Sequence, residues 1–137
     1  MTTQYWLVKS EPDTYSWDQF VRDGRTDWTG VRNNAARLHL KAMRPGDEVL
    51  YYHSNEGKAV VGVARVTKAA FPDTTADEAG WVAVELTAVT PLAKPIGLAQ
   101  IKADAVLQKM ELVRQSRLSV SPVRPAEFKR VLRLGKA

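Results

Sequence analysis

Four short segments of the sequence combine aromatic side chains with hydrogen-bonding and basic ones. They are KSEPD (9–13), WTGVRNN (28–34), YYHSN (51–55) and RQSRLSV (114–120). Each lies at the end of a predicted strand or helix, where binding residues are concentrated. An aromatic face can stack on a nucleobase, and serine or asparagine can bond to the base edge, while arginine or lysine binds the adjoining phosphates. Together the segments predict a site for a flipped or single-stranded base.

Each of these residues also has a purely structural interpretation. Trp28 could fill a core, and Asn33 stands where a helix cap is expected. Ser10 could satisfy the backbone of a turn, and His53 could be a structural histidine at a strand end. Arg117 could pair with an acid. The functional interpretation therefore depends on the four segments acting together.

The signatures of common enzyme classes are missing from the sequence. The two histidines, His39 and His53, belong to no zinc-deaminase pattern, and there is no nucleophile elbow, phosphate-binding loop or dinucleotide-binding glycine pattern. Without cysteine, disulfides and thiolate metal sites are excluded. We therefore predict a binding protein. An enzyme would have to assemble its catalytic groups from residues scattered along the sequence, and His53 is the only obvious candidate for such a group.

Length, composition and charge describe one domain with a basic end. The 137 residues, 45% hydrophobic and 26% charged, suit a single domain spanning 1–137. Residues 109–137 hold eight basic and two acidic residues, a charge of +6, whereas the whole chain has a net charge of +5. This segment is either a solvated basic helix or the contact for a polyanion such as nucleic acid. With neither a signal peptide nor a membrane span predicted, we expect a cytoplasmic protein.

The pattern of apolar residues predicts four strands, a further short strand and four helices. The strands cover 5–9, 49–53, 59–67, 81–89 and, more briefly, 117–122. The helices begin at SWDQF (16–20), span 33–43 and 98–107, and start again at Pro125. Turns are predicted at 44–49 and at PLAKP (91–95). Three consecutive long strands favour an antiparallel meander in an α+β (mixed α/β) fold, a partly closed barrel surrounded by helices.

The predicted helix over 33–43 presents two different stripes. Ala36, Leu40 and Met43 recur at helical spacing and predict a buried face. About 100° around the helix lies a basic stripe, which could bind phosphates. It consists of Arg37, Lys41 and Arg44.

Several motifs, in order and near the usual spacings, resemble the EVE domain family over Tyr5 to about Leu134. They are YWLVKSEP, YSW, WTGVRN, GDEVLYYHSN, VVGVARV, FPD and QSRLSV. The resemblance implies a PUA-like fold, a mixed β pseudo-barrel with surrounding helices. It also implies a reader of modified bases in DNA, of the 5-methylcytosine or 5-hydroxymethylcytosine type, that flips the base into an aromatic pocket. No catalytic activity, metal or cofactor is implied.

The resemblance also implies roles for residues of the first two segments. Ser10 would lie at the pocket mouth and bond to the base, and Trp28 would form a wall of an aromatic cage. Asn33 would face the pocket or fix the start of the helix, and Arg32 would meet the sugar–phosphate backbone.

Residues of the other two segments would complete the pocket. Tyr52, His53 and Ser54 would line its other side. Arg117 and Ser119 would close its floor or contact phosphate.

The sequence departs from the family pattern at the second segment. The family commonly has WDGVRNYQAR, and this chain has WTGVRNNAAR, so Thr29 replaces an acid and Asn34 an aromatic residue. If that aromatic encloses the base, the pocket here is more open or more polar. An RNA- or tRNA-binding module remains the alternative, followed by an enzyme acting on modified nucleosides.

Overall fold

Six strands form one mixed sheet in the order β2-β5-β4-β3-β1-β6. The computed structural model describes residues 3–136. The strands are β1 (Tyr5–Ser10), β2 (Arg25–Asp27), β3 (Glu48–His53), β4 (Ala59–Pro72), β5 (Val82–Gly97) and β6 (Val120–Val123). The predicted α+β fold and the antiparallel meander, β3-β4-β5, are confirmed, whereas β1 is parallel to β3. The sheet stays open at β2 and β6, so it is a barrel only in a loose sense.

Helices cover both faces of the sheet. They are α1 (Trp17–Asp23), α2 (Asn34–Ala42), α3 (Leu98–Ala103), α4 (Glu111–Arg114) and α5 (Pro125–Gly135), with a 3₁₀ turn at Leu107–Lys109. The predicted apolar stripe of α2 is confirmed, because Ala36, Leu40 and Met43 are all buried. No helix among residues 3–136 is long and apolar enough to cross a membrane.

Alternation along the strands divides the interior into two cores. The first core, under α1 and α2, includes Trp6, Val8, Trp17, Phe20, Trp28, Leu40 and Tyr51. The second core, under α3, α4 and α5, includes Leu7, Leu50, Tyr52, Ile101, Phe128 and Val131. Because successive side chains of a strand point to opposite faces, neighbours in sequence such as Leu7 and Val8 belong to different cores.

The predicted turn at 91–95 is wrong, because these residues lie within β5. Val60 pairs with Ile96 and Gly62 with Pro91, so a long irregularity in β5 lies between the two pairs. Bulges of this kind accommodate proline, which cannot donate to the ladder. Both long strands therefore extend beyond the predicted 59–67 and 81–89.

The predicted helix over 98–107 is also too long. It ends at Ala103, and the Asp104 carboxylate accepts hydrogen bonds from the backbone N–H groups of Val106 (2.9 Å) and Leu107 (3.1 Å). An aspartate in this position caps a new turn instead of continuing the old helix. Asp104 also pairs with Arg130 of α5 at 2.8 Å, which fixes this turn against the last helix.

Candidate functional site

A cleft of about 870 Å³ opens where β1 and β3 end. This volume is within the usual range for small-molecule sites, roughly 300–1,000 Å³. All four segments singled out in the sequence contribute to it. The predicted site residues that line the cleft are Ser10, Trp28, Arg32, Asn33, Ser54, Arg117 and Ser119.

Trp28 belongs both to the first core and to the cleft. Its side chain is only 8% exposed, and its ring meets Tyr51 edge-on, with centroids 5.5 Å apart. Its backbone N–H donates to the Val84 carbonyl at 2.7 Å, which ties the segment after β2 to β5. The structural and the functional interpretations of Trp28 are therefore compatible, since a buried ring can still expose one edge or face in the cleft.

Tyr15 is a cleft residue that the sequence analysis missed. Its ring lies 6.3 Å from Trp28 at 72°, so the two rings form an aromatic corner. Its hydroxyl donates to Asp23 at 2.7 Å, and its carbonyl accepts from the Tyr51 hydroxyl at 2.6 Å. Burial, together with Asp23, raises the pKa of Tyr15 to about 12 against a weaker opposing hydrogen bond from Thr26, so the phenol is neutral at ordinary pH. The motif YSW was the available signal.

Asp73 holds the segment that carries Trp28. Its buried carboxylate accepts from Gly30 N–H (2.9 Å), Arg32 Nη1 (3.0 Å), and the N–H (2.8 Å) and hydroxyl (2.6 Å) of Thr75. Burial raises the pKa of Asp73, but the hydrogen bonds from Thr75, Gly30 and Arg32 outweigh it and hold the pKa well below its usual range. Arg32, predicted to meet the sugar–phosphate backbone, is thus already paired with a carboxylate.

Asn33 and Asn34 have different surroundings. Asn33 caps α2, accepting from Ala36 N–H at 2.9 Å, and also lines the cleft. The Asn34 side chain instead accepts from Arg37 at 2.8 Å, and the Arg37 guanidinium lies 4.6 Å from the centroid of the Trp81 ring. Asn34 itself does not line the cleft, so the effect of replacing an aromatic residue here stays a prediction.

The structure contradicts the placement of Tyr52 in the pocket. Tyr52 is 3% exposed in the second core, on the other face of the sheet, while its neighbour Tyr51 packs beneath Trp28. The two tyrosines are adjacent on β3, so they must point to opposite faces.

His53, the last residue of β3, likewise lies outside the cleft, and its side chain contacts the start of α1. Its Nε2 accepts the backbone N–H of Trp17 at 3.0 Å, which requires an unprotonated nitrogen. Burial lowers the pKa of His53, although Asp18 opposes this. Among residues 3–136, no three His, Asp or Glu side chains are arranged to hold a metal ion.

Two basic residues of the cleft have no carboxylate partner among the described residues, Lys9 and Arg117. Lys9, which belongs to the first predicted segment but was given no individual role, donates to the Ser116 carbonyl at 2.7 Å, and burial lowers its pKa. This contact joins β1 to the turn that carries Arg117.

The other basic residues lie outside the cleft. Lys41 is exposed on α2, and Arg44 lines a separate hollow beside Trp6 and Asp47. Their contact with phosphates, like that of Arg37, stays a prediction.

The basic charge of the C-terminal segment is also largely outside the cleft. Helix α5 packs over the second core through Phe128 and Val131. Three of the eight basic residues in 109–137 are in ion pairs, namely Arg114, Arg124 and Arg130. Of the eight basic residues, only Arg117 lines the cleft.

Comparisons with known proteins agree on one family. The EVE domain model matches residues 4–134. Human thymocyte nuclear protein 1 is 30% identical over 96% of this chain and 74% of its own length. A solved structure from Rhodopseudomonas palustris is 50% identical, with a TM-score of 0.92 over 97% of this chain and 93% of that chain. The human THYN1 protein in complex with 5-methylcytosine-containing DNA superposes with a TM-score of 0.92, at 30% identity, over 98% of this chain and 99% of that chain.

Proposed function

The chain belongs to the EVE domain family, and from this premise we propose that its cleft binds a modified base in DNA, of the 5-methylcytosine or 5-hydroxymethylcytosine type. The observation that carries the proposal is the aromatic corner of Tyr15 and Trp28 inside a cleft with hydrogen-bonding side chains. The similarity to a protein solved with 5-methylcytosine-containing DNA supports it.

The cleft matches the needs of a base that has left the helical stack. Tyr15 and Trp28 offer stacking surface, and Ser10, Asn33 and Ser119 offer donors and acceptors for the base edge. A stacked base contributes about 1–3 kcal/mol, and each neutral hydrogen bond about 0.5–1.5 kcal/mol. Extruding a base from a duplex costs a few kcal/mol, so the surplus is small and single-stranded or weakly paired sites bind best.

The charges of the cleft point to modest, salt-sensitive affinity. Lys9 and Arg117 are available for phosphates, whereas Arg32 is paired with Asp73. The carboxylates of Glu11 and Asp27 also line the cleft. The electrostatic attraction for DNA is therefore supplied by few residues, and it falls as salt competes for the phosphates.

The position of His53 supports a binding function without catalysis. It was the obvious candidate for a catalytic group, yet its Nε2 accepts a backbone N–H and the residue does not line the cleft. A general base needs to reach the proton that it removes from a bound substrate.

Fluorescence anisotropy with labelled oligonucleotides tests the proposal. DNAs that differ in one cytosine, unmodified, 5-methylated or 5-hydroxymethylated, are compared with matched RNAs, and modified DNA is expected to bind tightest. Equal binding of modified and unmodified DNA would refute the modified-base assignment, and tighter binding of RNA would favour the RNA-binding alternative.

A pair of tyrosine variants tests the aromatic corner. Tyr15→Ala is expected to weaken binding of modified DNA by roughly tenfold, the loss of one stacking contact. Tyr5→Ala is the matched control, because Tyr5 stacks on Phe128 in the second core at 4.3 Å. Equal effects of the two variants would show that the loss comes from general destabilisation.

A further inference from the structure

A second hollow of about 320 Å³ adjoins the cleft. Three residues line both cavities, namely Asn33, Ser116 and Arg117. The hollow is completed by Ala35 of α2 and by Gln115 and Leu118, which follow α4. The two cavities therefore meet at a boundary that carries an arginine.

The boundary is suited to a phosphate group. Arg117 is exposed and has no carboxylate partner among residues 3–136. The adjacent Ser116 is fixed by Lys9, which donates to its carbonyl at 2.7 Å and adds a second positive charge. A cation between two cavities has the arrangement that a dinucleotide needs, since a phosphate lies between each pair of nucleosides.

The hollow itself is suited to a neutral ring. Ala35 and Leu118 offer apolar surface, and the Gln115 side chain donates its N–H to Glu111, which leaves its amide oxygen as an acceptor. An amide oxygen can accept from the amino group of a base. No charged residue other than Arg117 lines the hollow among the described residues.

We propose that the hollow at Ala35, Gln115 and Leu118 is a subsite for the nucleotide next to the recognised base, with the intervening phosphate at Arg117. The inference rests on the proposed function of the cleft. It makes the binding unit at least two nucleotides long and gives the protein contact with the sequence beside the modified base.

Titration calorimetry with two ligands tests the subsite. The ligands are 5-methyl-2′-deoxycytidine and a DNA trinucleotide with 5-methylcytosine at its centre. The wild-type protein is expected to bind the trinucleotide about tenfold more tightly, because the added nucleoside gains a hydrogen bond to the Gln115 amide oxygen and apolar contacts with Ala35 and Leu118. In wild-type NMR spectra, the amides of Ala35, Gln115 and Leu118 are expected to shift with the trinucleotide and not with the nucleoside.

A substitution that fills the hollow provides the matched comparison. Ala35→Phe, at an exposed position in the first turn of α2, is expected to abolish the tenfold gain and leave nucleoside binding unchanged. Ala99→Phe is the control, because Ala99 is exposed at the equivalent place in α3 and lines a different hollow.

The outcomes separate the subsite from the proposed function. If both ligands bind the wild-type protein equally and the three amides do not shift, the subsite is refuted while the cleft assignment stands. A gain that survives in Ala35→Phe also refutes it. If neither ligand binds while the protein is folded, the proposed function fails, and the subsite fails with it.

Discussion

The replacement Asp73→Asn tests the carboxylate that holds the segment carrying Trp28, which forms one wall of the cleft. Oδ2 of Asp73 accepts from Gly30 N–H and Arg32 Nη1, and Oδ1 accepts from the N–H and hydroxyl of Thr75. Asparagine has the same shape but only one oxygen. Whichever way the amide is turned, its NH₂ group faces two former donors, of which only the Thr75 hydroxyl can reorient to accept.

The structure sets the size of the expected loss. At least one backbone N–H loses its acceptor, and the oxygen that remains no longer carries a charge. A hydrogen bond to a charged group contributes about 1.5–3 kcal/mol. The share of Arg32 is small, because its side chain is 38% exposed and can bond to water instead. We expect a decrease of about 3 kcal/mol in the free energy of unfolding, dominated by the bonds to Gly30 and Thr75.

Urea unfolding followed by tryptophan fluorescence measures this difference. Asp77→Asn is the matched control, since Asp77 is an exposed acid in the same loop, and a change within about 0.5 kcal/mol is expected for it. If Asp73→Asn is as stable as this control, Asp73 does not hold the segment. If the reasoning is right, the remaining folded variant also binds modified DNA more weakly, because the wall carrying Trp28 is released.

Three further predictions concern packing, pH and salt. A Cβ at Gly62 would lie 2.5 Å from the Trp17 ring, so Gly62→Ala should lower stability by about 1–3 kcal/mol, and an unchanged melting temperature would contradict this packing. The pKa of His53 is lowered in the folded protein, so its neutral form stabilises the fold fully above about pH 6.5, and this stability is lost as the pH falls towards the folded pKa. Urea unfolding at several pH values should therefore show a smaller decline in the free energy of unfolding for His53→Gln than for the wild-type protein. An equal decline in both would count against this role of His53. Arg117→Gln should reduce the slope of log Kd against log salt by about 0.7–0.9, whereas Lys94→Gln, outside the cleft and hollow, should leave the slope unchanged.

The elements that could be predicted from the sequence are those whose pattern is local. The stripe of Ala36, Leu40 and Met43 has helical spacing and is buried as expected. The three long strands were recognised from continuous apolar or alternating runs, although their ends were not. Strand β2 was missed because its three residues, Arg25–Asp27, are too few and too polar to show a period.

The parts of the site that could not be predicted depend on contacts between distant residues. All four segments reach the cleft, but the choice between Tyr51 and Tyr52 required the register of β3. Four consecutive residues of this strand are buried, so polarity gives no sign of which face each one takes. Asp73 was missed because its partners, Gly30 and Arg32, are 43 and 41 residues away.

The topology explains why these segments meet in one place. Because β1 and β3 are parallel neighbours, both end at the same edge of the sheet, and Ser54 N–H donates to the Ser10 carbonyl at 3.0 Å. The wall carrying Trp28 is tied to β5, and Asp73 neutralises its arginine. The free positive charge of the cleft is therefore confined to the β1 side, at Lys9 and Arg117. In the proposed binding mode, this asymmetry would direct the phosphates of a bound strand towards Arg117 and the recognised base towards the aromatic corner, which is the orientation that the adjoining hollow requires.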